Sequence, residues 1–153
     1  MAKPRNKFNN KNEESPDNIV KLAKRKFTDK DLLPFSPKTE TQNKLVKAYH
    51  ENIPLIIAHG HAGVGKTHCA INLALNEVLS TGGRDKIVLV RSAVQSREIG
   101  FTTGDIEQKE APYEQVYRSI IADSMKYNDP YDNMKALGYI EFHSTTFIRG
   151  KTF

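Results

Sequence analysis

Residues 60–67 read Gly60-His61-Ala62-Gly63-Val64-Gly65-Lys66-Thr67, an instance of the pattern GxxxxGK[ST]. Few features constrain a chain as much, because this loop works only between a strand and a helix. Both flanks are present. Pro54-Leu55-Ile56-Ile57-Ala58 is a short apolar run that reads as a buried strand, and apolar residues recur at helical spacing from Lys66 to Ser80. With glycine near 7% of average usage, the four fixed positions coincide by chance in roughly one chain of this size per few hundred. The bland alternative is a glycine-rich turn before an ordinary helix, and the flanks argue against it.

The chemistry follows from the backbone. Gly60, Gly63 and Gly65 let the loop fold tightly and aim successive N–H groups at a phosphate. His61, Ala62 and Val64 complete that cradle. A helix starting near Lys66 adds unpaired N–H groups and the positive end of its dipole. Lys66 brings a mobile ammonium for the β- and γ-phosphates of ATP, and Thr67 a hydroxyl ligand for Mg²⁺.

The net charge of +5 is uneven. Residues 1–31 hold nine basic side chains against five acidic ones, so the remainder of the chain is close to neutral. Residues 1–17 are nearly devoid of apolar side chains and read as disordered, while 18–27 offer a short basic helix. Residues 1–31 are thus expected to be a basic tail, and 32–153 a nucleotide-binding domain. The cluster Lys21, Lys24, Arg25 and Lys26 suits a phosphate backbone, or simply a solvated tail. No apolar run is long enough to span a bilayer and no signal pattern precedes the domain, so a cytoplasmic setting is expected (the host cytoplasm for a phage-encoded chain). The single cysteine, Cys69, suits a reducing compartment and reads as small and packed.

Two prolines, Pro34 and Pro37, exclude a helix before Thr39, which is a plausible N-cap for a helix over Glu40–Glu51 with Leu45, Val46 and Tyr49 on one face. Gln42 lies in its first turn. A glutamine at this offset before a P-loop can read an adenine edge with its amide donor and acceptor; a buried or capping glutamine is the alternative. Beyond Gly82-Gly83, Lys86–Arg91 reads as a second strand, giving a βαβ unit with Arg91 at the ligand-binding end of the sheet. Residues 97–111 read as loop, with a turn of helix at Thr103-Asp105. Pro112 opens a helix through Met125, Asp129-Pro130 breaks it, and Tyr131–Leu137 adds a turn or two before Gly138. Tyr139–His143 alternates as a third strand, with Glu141 outward and His143 structural. No apolar run after Lys66 ends in Asp or Glu, so the catalytic residue of any hydrolysis is left unknown. Asp85 precedes its strand, and Asp105 and Glu107 lie in loop.

The chain resembles the PhoH-like family of P-loop ATPases, in its bacterial and phage form, over residues 37–153. The resemblance rests on Pro37-Lys38-Thr39 with Gln42, GHAGVGKT, Arg91-Ser92-Ala93-Val94, Gly100-Phe101 with Gly104-Asp105, Pro112-Tyr113, and Phe147 to Phe153. His61 departs from it, standing where the family usually has proline. The resemblance implies an α/β P-loop NTPase sandwich of three layers with a mainly parallel sheet and a core like that of superfamily 1 helicases. It implies ATP and Mg²⁺ as cofactors and action on RNA or in phosphate-starvation physiology; single-stranded nucleic acid and a second copy of the chain are further candidate partners, which the sequence itself does not decide. In the family, the Arg-Gly-Lys-Thr-Phe stretch leads into the Asp-Glu strand of the Walker B motif, so the sheet is expected to be incomplete here at its C-terminal side. Two readings from other classes stand beside it: a nucleic-acid-binding module with a basic tail and a vestigial P-loop, and a small-molecule kinase using Arg91 and Arg97.

Overall fold

The computed structural model describes residues 26–80, 83–92, 106–145 and 148. Expectations for residues 1–25, for the stretch from Arg97 to Asp105 and for the closing Arg149–Phe153 lie outside the described residues. In chain order the elements are α1 (Glu40–His50), α2 (Lys66–Leu79), β1 (Ile87–Arg91), α3 (Ile106–Ser124), α4 (Tyr131–Ala136) and β2 (Ile140–Ser144). No helix among the described residues is long and apolar enough to cross a membrane.

The helices form where local chemistry starts and stops them. Thr39 caps α1, its hydroxyl accepting from the Gln42 N–H at 3.2 Å. Leu45, Val46 and Tyr49 make the half-buried face of α1, and the Tyr49 hydroxyl donates to Glu77 on α2 at 3.0 Å. Helix α2 is the apolar axle of the domain, burying Cys69, Ile71, Leu73, Leu75, Val78 and Leu79. Gly138, at φ +80°, ends the turn after α4.

Strands β1 and β2 pair in parallel, with Ile87 opposite Ile140 and Arg91 opposite Ser144. Period-two geometry puts Ile87, Leu89, Ile140, Phe142 and Ser144 on one face, and there Ile87 and Ile140 join α2, α3 and α4 in a single core around Leu75, Ile121, Tyr131 and Met134. Val88, Val90, Glu141 and His143 lie on the other face, where Lys86 donates to Glu141 at 2.6 Å. The fold is therefore α/β with a small parallel sheet. Among the described residues the three layers expected from the sequence are realised as two.

An N-terminal strap closes the core. Phe27 is buried edge-on against Tyr127 and Tyr139. Asp31, also buried, accepts from the Thr28 N–H at 2.9 Å and from the Tyr127 hydroxyl at 2.8 Å. Leu33 N–H donates to the Ser124 carbonyl at 2.9 Å, and Leu32 bridges Met125.

Three sequence expectations are corrected. Residues 54–58 form no strand, and Leu55 and Ile57 are 74% and 79% exposed. A strand is defined by a neighbour's N–H and C=O groups, and none of the described residues offers them to this segment. Helix α3 starts at least as early as Ile106, so Pro112 sits inside it rather than at its first position. A proline forfeits one intrahelical bond, and the turns on either side carry the helix past it. Met125, assigned to that helix, lies just past its end and pairs with Leu32 instead.

Candidate functional site

The loop of residues 60–65 is exposed or half-buried and leads straight into α2. Its shape depends on positive φ at Gly63 (+79°) and Gly65 (+86°), the left-handed region that costs a side-chain-bearing residue about 1 kcal/mol or more. Gly65 is also confined from outside: a Cβ there would stand 2.9 Å from the Gln42 amide nitrogen. At Gly60 and Gly63 no atom would meet an added Cβ, so that side of the loop is open.

The first intrahelical bond of α2 runs from the Cys69 N–H to the Gly65 carbonyl at 2.9 Å. The N–H groups of Lys66, Thr67 and His68 thus have no intrahelical acceptor and gather at the positive end of the helix dipole. No acidic residue occupies this first turn. The Lys66 ammonium folds back over the loop, donating to the carbonyls of Gly60 at 2.9 Å and His61 at 2.7 Å. Those bonds keep the cation at the loop's entrance. The Thr67 side chain is exposed, and the His68 ring lies against Phe35 of the strap with centroids 5.9 Å apart. Cys69, one residue on, is buried, which pushes its thiol up.

The structure brings Gln42 to this loop. Its Nε2 donates to the Val64 carbonyl at 3.0 Å, and its Oε1 accepts from the Lys38 N–H at 2.7 Å. An amide has two hydrogens and two lone-pair directions, so one of each remains for a further partner. The Val64 carbonyl and the Lys38 N–H are the two groups that sequence reasoning missed. The available signal was Thr39-x-x-Gln42, which has the spacing of a capping box.

Other candidates are held elsewhere. Arg91 donates to the Tyr113 carbonyl at 3.2 Å and lies 5.4 Å above the Tyr113 ring, tying β1 to α3. Glu141 accepts from Lys86 and, at 3.4 Å, from His143; the Lys86 ammonium chiefly holds its carboxyl below the usual range. A groove of about 490 Å³ opens between Leu32–Pro37 and the facing sides of α1 and α2, and contains no residue of the loop. Among the described residues no group of three or more His, Cys, Asp or Glu could hold a metal ion.

The chain is thus an α/β domain with a small parallel sheet in which a glycine loop leads into a helix N-terminus, and comparison with known proteins narrows its class. Residues 34–153 match the family described as PhoH-like protein, and the chain belongs to that family. It is 34% identical over 119 residues to a PhoH-like protein of Mycobacterium leprae, covering 76% of this chain and 33% of the relative. A PhoH-like protein of Bacillus subtilis is 34% identical over 116 residues, covering 75% and 35%, respectively. Protein PhoH of Escherichia coli K12 is 33% identical over 126 residues, covering 81% and 35%. The chain thus spans about a third of the length of these curated relatives. No solved structure matches it.

Proposed function

We propose that this chain binds ATP with Mg²⁺ through residues 60–67, as the nucleotide-binding part of a PhoH-like ATPase. One observation carries the reading: positive-φ glycines, three N–H groups without intrahelical acceptors, the Lys66 ammonium and the Thr67 hydroxyl converge on one exposed loop. The backbone from Gly60 to Gly65, including His61, Ala62 and Val64, would cradle the phosphates. Lys66 would balance β- and γ-phosphate charge, Thr67 would ligate Mg²⁺, and the remaining N–H and lone pair of Gln42 would meet the adenine edge. The bound ion supplies charge neutralisation on the phosphates; this chain's own part is to orient and hold them.

The reading extends to a helicase-like core of the superfamily 1 type, to RNA or single-stranded nucleic acid as the polymer acted on, to a link with phosphate starvation, and to a cytoplasmic, oligomeric protein. Family membership supports these points. Calorimetric titration with MgATP tests the binding: Lys66→Ala is expected to abolish it, and unchanged affinity in that variant would overturn the assignment. Residues 1–153 alone are expected to bind without steady turnover. Hydrolysis by this chain, abolished in Lys66→Ala, would overturn that expectation and assign the catalytic role to Glu141 or to a residue of another subunit.

A further inference from the structure

We propose that Gln42 is a positioning residue for the phosphate loop, acting on phosphate affinity whatever base the ligand carries. The proposal rests on the phosphate-loop reading above and adds to it a role for a side chain outside the loop.

Gln42 is the third residue of α1, where a Thr-x-x-Gln box would turn the side chain back to the cap residue's own N–H. Here it reaches one residue further, to the Lys38 N–H at 2.7 Å, and spends its amide hydrogen on the Val64 carbonyl at 3.0 Å, 22 residues away. One amide group therefore ties the end of the strap to the last turn of the loop.

The peptide plane explains why that matters. The Val64 C=O and the Gly65 N–H belong to one rigid unit and point in opposite directions. Holding the oxygen fixes the direction of the N–H, which is the last donor before Lys66. A flip of this plane turns only ψ of Val64 and φ of Gly65, and Gly65, at φ +86° and without a Cβ, offers that rotation little resistance unless something outside the loop restrains it. Among the described residues it is Gln42 that supplies a hydrogen bond to the Val64 carbonyl. The same amide stands where a Cβ on Gly65 would fall, so its contact with the loop is steric as well.

The experiment compares wild type, Gln42→Met, Gln42→Ala and Lys66→Ala as intact 153-residue chains. Each is titrated calorimetrically with MgATP, MgGTP and inorganic tripolyphosphate, which has no base. Amide exchange of residues 63–66 is followed by NMR in the free proteins. Methionine keeps the length of glutamine and α1 stays capped by Thr39, so thermal midpoints serve as the control for folding. Loss of one neutral hydrogen bond predicts tripolyphosphate binding about five- to tenfold weaker in both Gln42 variants, with faster exchange at Gly65. A further loss for ATP over GTP would report the adenine contact separately. Unchanged tripolyphosphate affinity in Gln42→Met overturns the positioning role, whatever happens to ATP. Wild-type affinity no better than that of Lys66→Ala overturns the phosphate-loop reading and this proposal with it; the exchange rates then show whether Gln42 orders the loop at all.

Discussion

Asp31 and Tyr127 stand 96 residues apart in the chain and meet at 2.8 Å, the phenol donating to the carboxylate. The same carboxylate caps the turn at Thr28, so one buried side chain holds the strap to the end of α3. Replacing it by alanine leaves a part-buried phenol and a turn N–H without their acceptor. Asp31→Ala is expected to cost about 2–3 kcal/mol in urea unfolding. A loss below about 0.5 kcal/mol, the range of ordinary surface changes, would mean that the strap contributes little.

Gly65→Ala tests the loop from its other side. Left-handed φ alone costs about 1–2 kcal/mol, and the new methyl group must also displace the Gln42 amide, 2.9 Å away. Loss of the Gln42–Val64 bond should therefore accompany the strain. Combining Gly65→Ala with Gln42→Ala is expected to give less than the sum of the single effects by denaturant titration, because both remove the same contact. Full additivity would show that the two residues do not interact.

Acid sensitivity should centre on Arg118, which bridges Asp129 and Asp132 and lies 5.1 Å above the Tyr131 ring. Hydrogen bonds from Arg118, acting against partial burial, hold the Asp132 carboxyl below its usual range. A depressed folded pKa means that the unfolded chain binds more protons, so stability rises with pH across this window. The contribution is complete above the unfolded carboxylate pKa and is lost as pH falls through the folded one. Asp132→Asn should cost about 0.5–1 kcal/mol at pH 7, a modest value for a largely exposed pair, and nothing once wild-type Asp132 is itself protonated. A deficit independent of pH would assign the effect to packing.

Cys69 is 1% exposed and its burial pushes the thiol up, away from the reactive thiolate. Iodoacetamide at pH 7.5 is expected to leave the folded protein unlabelled and to modify it fully in denaturant, read as a single mass increment. Rapid labelling of the native protein would mean that the first turn of α2 opens readily.

The elements legible in the sequence are those whose signals are local. Thr39 and the spacing of Leu45, Val46 and Tyr49 announce α1, and the alternation from Tyr139 to His143 announces β2. Glu141 takes a partly exposed place on the outer face of the sheet, as its alternation indicates. The misreadings share a different origin. Leu55, Ile56 and Ile57 have strand propensity, but a strand also requires a neighbour, which no local pattern encodes. Pro112 suits the start of a helix, yet the helix passes through it. Within the site, the loop is legible because backbone geometry demands glycine, whereas the tie from Gln42 to Val64 depends on how two separate segments dock.

Leu55 and Ile57 also bear on how the protein behaves as a colloid. Residues 53–58 carry no charge, and Pro54 is their single gatekeeper. An uncharged segment outside any strand, with Leu55 and Ile57 facing water, is one on which another chain can add. Repulsion from the net charge of +5 gives it little protection, since most of that surplus belongs to residues 1–31. This neutral six-residue stretch is thus where self-association is expected to begin, and salt, which screens what repulsion there is, is expected to favour it.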